Sequence, residues 1–354
     1  MFYRDAGELK TSYPADAALF PRALDRWIAI GTVALAATAL PLTAGTYWLG
    51  SILLPFLILS LAAIGLNITT GYAGQLSLGT AGFMAVGAYA TVNLVARVPM
   101  LPFPIAFLLA GVTAGLVGMI FGLLSLRIRG LYVAVATLAA QFFIEWTCTH
   151  IPWLSLNAAS GIVSTPILEF AGIQLRNVES RYLVALATVV ALALAAKNLI
   201  RSSVGRAWMA VRDHEPAAAL TGVDTAYAKL SAFAVGAAYC GISGALWSFL
   251  YLGNIEAEAF SLHRSFQILF MIIIGGLGSI LGSFLGAAFI VLLPVAITNG
   301  AALLGGTIRP DMTANLELMT FGALIIAFLI LEPRGLARLA VRAKERLRRW
   351  PLPY

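Results

Sequence analysis

The sequence predicts an all-α protein that crosses a membrane about ten times, and three observations support this fold class. Hydrophobic residues make up 60% of the 354 residues and charged residues only 11%, far from the proportions of soluble proteins. Several stretches run for roughly 20 residues without a charge, which is the length of an α-helix that spans a bilayer core. These stretches are apolar on every side, whereas strands of a membrane β-barrel alternate apolar and polar residues. The spans are therefore predicted to be helices.

The apolar stretches place the ten crossings at residues 27–45, 47–69, 76–96, 103–126, 131–149, 182–200, 228–250, 266–280, 282–302 and 316–331. The eighth and ninth could instead form one long kinked helix, but the glycines of GGLGS, from Gly275, favour two short helices. The chain then divides into an N-terminal cytoplasmic segment at 1–26, a transmembrane domain at 27–331 with a polar loop at about 201–227, and a basic tail at 332–354.

The distribution of Lys and Arg predicts the orientation, because basic residues near the ends of spans stay on the cytoplasmic side. With the N-terminus inside, the basic residues that fall outside are Arg97, Arg176, Arg181, Arg264 and Arg309, and the others fall inside. Both termini are then cytoplasmic in a bacterial inner (plasma) membrane. The basic tail is expected to lie against anionic lipid, so the net charge of +7 requires no nucleic acid.

Motifs for enzyme chemistry are missing from the sequence. It has no G-x-x-x-x-G-K-[ST] phosphate loop, no HExxH and no GxSxG, and its three histidines are scattered over different loops. Cys148 and Cys240 are isolated thiols, so no disulfide or metal site is indicated. Ionisable residues inside spans usually carry ions, and the only acid well inside a span is Glu145. It could contact the ammonium group of a substrate, or pair with a neighbouring helix. The chain is predicted to be a transport protein without a cofactor of its own.

Two glycine-rich stretches, GYAGQLSLGTAGFMAVGAYA from Gly71 and GGLGSILGSFLGAAF from Gly275, carry small residues at helical spacing. Such stripes let membrane helices approach closely, and irregular backbone at glycines can also line a cavity. Both roles, helix packing and lining of a pathway, stay open. We hypothesise that Gly79, Gly82 and Ala85 face another membrane subunit or a solute. The candidate residues of these stretches are Gly71, Gly74, Ser77, Gly79, Gly82, Ala85, Gly275, Gly276, Gly278, Gly282 and Gly286.

Five motifs in order resemble the LivM type of branched-chain amino acid ABC-transporter permease. They are the stretch from Gly71, RGLYVAVATLA from Arg129, the segment GRAWMAVRDHEPAAALTGV from Gly205, ILFMIIIGGLGSILGSFLGAAFIVLLP from Ile268, and LEPRGL from Leu331. The resemblance implies a ten-helix permease that pairs with a LivH-type partner permease, two ATP-binding cassette ATPase subunits and a soluble periplasmic or lipid-anchored solute-binding protein. ATP and Mg would be bound by the ATPases, and the solute would be a branched-chain or related apolar amino acid.

Alternatives to this function stay open at the level of sequence. Relatives in the same family carry urea, short amides or aromatic acids, and no residue decides among these solutes. A self-sufficient carrier or channel is a further alternative. The loops at 151–180, 251–265 and 301–315 are the longest outside segments and carry acidic residues, so they are expected to receive the binding protein.

The polar segment Gly205–Val223 predicts two short helices on the cytoplasmic face. The first ends near Asp213, Pro216 suits the first turn of the second because its missing N–H would be unpaired there, and Gly222 suits the end of that helix. Trp208, Val211 and Leu220 are expected to form an apolar docking face, with Trp208 as its main anchor. By the resemblance, this hairpin docks on an ATPase and couples it to the spans, through Arg206, Trp208, Val211, Arg212, Asp213, Glu215, Pro216, Leu220 and Gly222.

Overall fold

The described residues of the computed structural model form a bundle of α-helices. They are residues 23–98, 101–127, 130–156, 162–166, 169–170, 173–174, 176–303, 319–320, 322–324, 326–327, 330 and 335–349. The predicted N-terminal segment at 1–26 lies almost entirely outside this part of the chain, and half of the tenth predicted crossing, at 316–331, also lies outside it.

Nine of the predicted crossings correspond to helices within the described residues, with boundaries close to the predicted ones. In chain order the helices are α1 Ala23–Thr43, α2 Leu54–Leu66, α3 Thr80–Arg97, α4 Phe103–Arg127, α5 Leu131–His150, α6 Val178–Arg201, α7 Ser203–Leu220, α8 Thr225–Leu246, α9 Leu262–Gly275, α10 Ile280–Leu303 and α11 Gly335–Arg349. Helix α7 is the predicted polar hairpin, and α11 belongs to the predicted basic tail.

Wider π-helical turns extend two of these helices. The turn Trp48–Leu53 precedes α2, the turn Asn67–Tyr72 follows it, and the turn Trp247–Leu252 follows α8. Seven of the helices in the described part of the chain, with such extensions, are long and apolar enough to cross a membrane. Helices α3 and α5 fall short of that hydropathy because α3 carries Asn93 and Arg97 and α5 carries Gln141 and Glu145.

Helix α8 lies at the centre of the bundle. With its π-helical extension it is the most buried of the seven spans, since 83% of its most apolar stretch is buried. Its glycines let other helices approach at backbone distance. A side chain at Gly244 would collide with the Met84 carbonyl of α3, and one at Gly111 of α4 would lie 2.8 Å from Ile242. Small residues at a helix crossing allow the dispersion contacts that hold membrane helices together, so α3, α4 and α8 form a tightly packed core.

Helices α9 and α10 are two separate helices joined by a short turn, as the glycines favoured. The turn at residues 276–279 contains Gly276 and Gly278, with φ of 118° and 73°, backbone that residues other than glycine rarely adopt. The glycines around the turn do not line one helix face as predicted. A side chain at Gly282 of α10 would lie 2.7 Å from the Gly275 carbonyl of α9, so these glycines face each other across the turn.

Two short two-stranded sheets lie in the loops between helices. Strand β1, Val163–Ser164, pairs antiparallel with β4, Asn254–Ile255, and β2, Glu169–Phe170, pairs with β3, Ile173–Gln174. The β1–β4 pair joins the loop after α5 to the loop after α8, at the end of the bundle opposite α7. Two of the three loops predicted to receive a binding protein therefore form one surface, and the third, at 301–315, lies almost entirely outside the described residues.

Candidate functional site

Helix α7 is a hairpin of two helical pieces, as predicted. The backbone breaks at His214, with φ −159° and ψ 93°, and the His214 ring accepts a hydrogen bond from the Ala217 amide. Pro216 therefore lies in the first turn of the second piece. This piece ends before Gly222, whose φ of 86° is left-handed and favours glycine at a helix end. The hairpin next enters α8, where the Asp224 carboxylate accepts from the Tyr227 amide and caps the helix.

The first piece of the hairpin is anchored in its own chain, and the prediction that Trp208 and Val211 form an outward docking face is wrong. Trp208 is 0% exposed and Val211 only 6%. The Trp208 indole N–H donates to Ser231 Oγ of α8 at 2.9 Å. A large apolar ring on a polar loop suggests an exposed anchor. In this structure α8 instead covers the Trp208 ring and supplies its hydrogen-bond partner.

The second piece carries the exposed apolar surface of the hairpin. Leu220 is 90% exposed, and Pro216, Ala217 and Ala219 are exposed beside it. Tyr227, in the first turn of α8, is 63% exposed. Leucine and tyrosine side chains exposed to this extent, beside other exposed apolar residues, are typical of a surface that binds a partner. We call residues 216, 217, 219, 220 and 227 the exposed hairpin face.

Two ion pairs set the shape of the hairpin. Lys229 of α8, which is buried apart from 9% of its surface, donates to Glu215 Oε1 at 2.6 Å, which fixes the start of the second piece to α8. Arg212 binds the neighbouring Asp213 carboxylate through Nε at 2.9 Å and Nη2 at 2.7 Å. Arg206 donates to the Arg201 carbonyl at 2.9 Å.

Arg212 bonds one glycine-rich interruption of the spans, at residues 71–79, and lies close to a second, at residues 276–279; we call these the two glycine breaks. Its Nη1 donates to the Gly71 carbonyl at 2.8 Å. A side chain at Gly74, where φ is 71°, would lie 2.7 Å from Arg212 Cγ, and one at Gly278 would lie 3.4 Å from Nη1. The structure thus brings together Gly71, Gly74 and Gly278, which the sequence only placed in separate stretches.

Asn67 joins the two glycine breaks to each other, a role that the sequence reasoning did not assign. Its Oδ1 accepts from the Gly278 amide at 2.8 Å, and its Nδ2 donates to the Ser279 carbonyl and to Ser283 Oγ, each at 2.9 Å. The residue is 1% exposed. Asparagine within an apolar span, four residues before Gly71, was a signal that could have found it, because an unpaired amide is unfavourable in lipid.

The glycines of the first stretch pack within this chain, which corrects the hypothesis that they face a partner or a solute. A side chain at Gly79 would lie 2.7 Å from the Thr137 carbonyl of α5, and one at Gly82 would lie 3.0 Å from Gln141 Oε1. Gln141 Oε1 also accepts from the Gly82 amide. Ser77 and Ala85 are each 3% exposed. Helix packing is therefore their observed role.

Glu145 lies half-buried on α5. No Lys or Arg side chain in the described part of the chain forms an ion pair with it, so the expected pairing with a neighbouring helix is not found there. Contact with a substrate ammonium group stays a prediction.

The fold and the site together define a multi-pass α-helical membrane protein of the transport class, with a polar hairpin fixed to two broken spans at one end. The chain belongs to the family described as branched-chain amino acid transport system / permease component, whose sequence profile matches residues 48–329. The family is one of transporter permeases, not of enzymes.

Three curated relatives are similar over most of the chain. The LivM permease proteins of high-affinity branched-chain amino acid transport in Escherichia coli K12 and Salmonella typhimurium are each 28% identical, over 82% and 77% of this chain and 70% and 66% of theirs. A probable LivM permease of Methanocaldococcus jannaschii is 29% identical over 80% of this chain and 92% of its own. No solved structure matches the chain significantly.

Proposed function

We propose that the chain is the membrane subunit of an ATP-driven importer and forms, with a LivH-type partner permease, the pathway for branched-chain or related apolar amino acids. Two ATPase subunits would bind ATP and Mg, and a binding protein would deliver the solute at the opposite face. The relatives' names support the amino-acid substrate, and the motifs from Gly71 to Leu336 support the subunit role.

The exposed hairpin face is the main observation in support of an ATPase partner. Leu220 and Tyr227 are exposed, yet Trp208 fixes the first piece of the hairpin to α8, and the pair of Glu215 with Lys229 fixes the start of the second. A rigidly held surface with exposed apolar side chains loses little conformational freedom on binding. This arrangement suits a cytoplasmic partner that must push on the hairpin. The distribution of basic residues supports a cytoplasmic location for both termini.

Reconstitution in liposomes tests this function against a self-sufficient carrier. We expect the purified chain alone to move no leucine, isoleucine or valine under a proton or sodium gradient. The chain with its partner permease, ATPases and binding protein should take up these solutes when ATP is supplied. Gradient-driven uptake by the chain alone would support a carrier and contradict the proposal. Uptake of urea or short amides instead of apolar amino acids would correct the solute class only.

A further inference from the structure

We propose that Arg212 is a positioning residue that links the hairpin to both glycine breaks, so that a movement of the hairpin shifts the inner ends of α2, α9 and α10 together. The inference rests on the proposed function, because it assigns a path for the movement that an ATPase would impose. It concerns the transmission of that movement and not the docking of the ATPase, which belongs to the exposed hairpin face.

The guanidinium of Arg212 has the donors that this link requires. Nε and Nη2 bind the Asp213 carboxylate, and Nη1 binds the Gly71 carbonyl. Arginine presents these donors in a rigid planar fork, whereas lysine presents a single flexible ammonium. Asp213 therefore fixes the plane of the guanidinium, and the third nitrogen is aimed at the end of the span that contains α2.

The carbonyl that Arg212 binds belongs to the last turn of a helix. Gly71 lies in the π-helical turn Asn67–Tyr72, and carbonyls at a helix end need partners from outside the helix. A cation is also favourable at this end of the helix dipole. The hydrogen bond is therefore a specific tie between the hairpin and the end of this span, at a distance of 141 residues along the chain.

Further contacts connect the first glycine break to the second. The backbones of Gly71 and Gly278 touch, because a side chain at Gly71 would collide with the Gly278 amide nitrogen. Asn67 bonds the Gly278 amide and the Ser279 carbonyl. A displacement of Gly71 must therefore move the turn between α9 and α10. Gly74, Gly276 and Gly278 all have positive φ, and connections of this kind can absorb a change of backbone angle between packed helices.

Space beside Arg212 allows the side chain to move. A cavity of about 250 Å³ lies between the hairpin, the first glycine break and the start of α5, with Arg212, Glu215 and Lys229 in its wall. Gln75 lines the same cavity, and its side-chain amide makes no hydrogen bond within the described residues. A hairpin that shifts into this space keeps polar groups within reach of Arg212.

The test uses the whole complex in liposomes and compares Arg212→Gln with Arg212→Lys. The control is Arg26→Gln, since Arg26 is an exposed arginine near the start of α1, outside the hairpin. Retention of the ATPases and solute moved per ATP are measured. We expect both Arg212 variants to keep the ATPases and to hydrolyse ATP, while solute moved per ATP falls at least tenfold. Lysine should not restore it, because it keeps the charge but not the fork.

A labelling experiment separates transmission from simple stabilisation. Leu277 lies in the second glycine break and is 53% exposed, whereas both native cysteines are buried. With Leu277→Cys in the complex, we expect ATP binding to change the rate of maleimide labelling at least threefold when Arg212 is present. The change should disappear in Arg212→Gln and persist in Arg26→Gln.

Three outcomes would overturn the link. They are a normal ratio of solute to ATP in Arg212→Gln, loss of the ATPases or of assembly in both Arg212 variants, and an ATP-dependent labelling change that does not need Arg212. Absence of ATP-driven uptake in the unaltered complex would instead overturn the proposed function, so the two failures are distinguishable.

Discussion

The two pieces of the hairpin differ in what they contact, although they are adjacent in sequence. The first piece buries Trp208 completely against α8 and is part of the bundle. The second piece leaves Leu220 90% exposed and is fixed mainly at its start, by the pair of Glu215 with Lys229. The difference shows that two neighbouring parts of one polar loop can have different roles. One piece holds the position of the loop, and the other offers a surface.

Replacement of Trp208 should have the largest effect, and on folding. Trp208→Ala removes a fully buried indole and is expected to lower the free energy of unfolding by about 3–5 kcal/mol. The measurement is thermal or denaturant unfolding of the purified chain. Trp208→Phe is the matched variant, since it keeps a ring but leaves Ser231 without the indole N–H, so its loss should be smaller. Normal stability of Trp208→Ala, with loss of ATPases alone, would restore Trp208 as a docking residue.

Replacement of Leu220 should affect binding and leave folding unchanged. Truncating an apolar interface anchor costs about 2 kcal/mol of binding, which is roughly a 30-fold rise in the dissociation constant. We expect Leu220→Ala to unfold like the unaltered chain and to lose ATPase subunits during purification. Val211→Ala, on the buried piece, is the control that should do the reverse. Equal ATPase affinity with and without Leu220 would remove the main support for the exposed hairpin face.

Removal of the ion pair at the junction of the two pieces should have a moderate effect on stability. Glu215→Gln leaves the nearly buried Lys229 without its carboxylate, at an expected cost on the order of 1 kcal/mol. Asp213→Asn, in a pair whose side chains are 35% and 66% exposed, should change the unfolding free energy less. Melting curves of the two variants measure the difference. A larger loss in Asp213→Asn than in Glu215→Gln would contradict the view that Glu215 fixes the second piece.

The opposite end of the bundle gives the smallest expected effect and a reference for the hairpin. Glu256 and Glu258 lie in the loop that β4 joins to β1, and charges at the rim of an interface act mainly on encounter rates. Replacing both with Lys should slow association of the binding protein, more at low salt than at high salt. ATPase retention should not change. Stopped-flow or surface-binding kinetics over a salt series measure this, and an association rate unchanged at every salt concentration would argue against docking at this loop.

Local features of the structure were predictable from the sequence. Apolar length gave the boundaries of nine helices, since a bilayer core fixes how long each span must be. Pro216 and Gly222 gave the second piece of the hairpin because their backbone preferences act within a few residues. The turn between α9 and α10 followed from Gly276 and Gly278 for the same reason.

Contacts between distant segments were not predictable in this way. The partner of Trp208 is 23 residues away, and the bond from Asn67 to Gly278 spans 211 residues. A helical periodicity shows that Gly82 has a small-residue face, but not whether α5 of the same chain or another subunit covers it. The burial of Trp208 and the packing of Gly79 and Gly82 were therefore missed, and the link through Asn67 was not seen.

Helix α1 touches the rest of the bundle lightly. None of its most apolar window is buried, a hydrogen bond from Tyr182 to the Ala36 carbonyl joins it to α6, and an apolar cavity of about 750 Å³ lies between it, α2, α6 and α10. A span held by so few protein contacts can change its tilt when its apolar length and the thickness of the bilayer do not match. The width of this cavity is then a property of the membrane as much as of the chain, and it should narrow or widen with the length of the lipid tails around it.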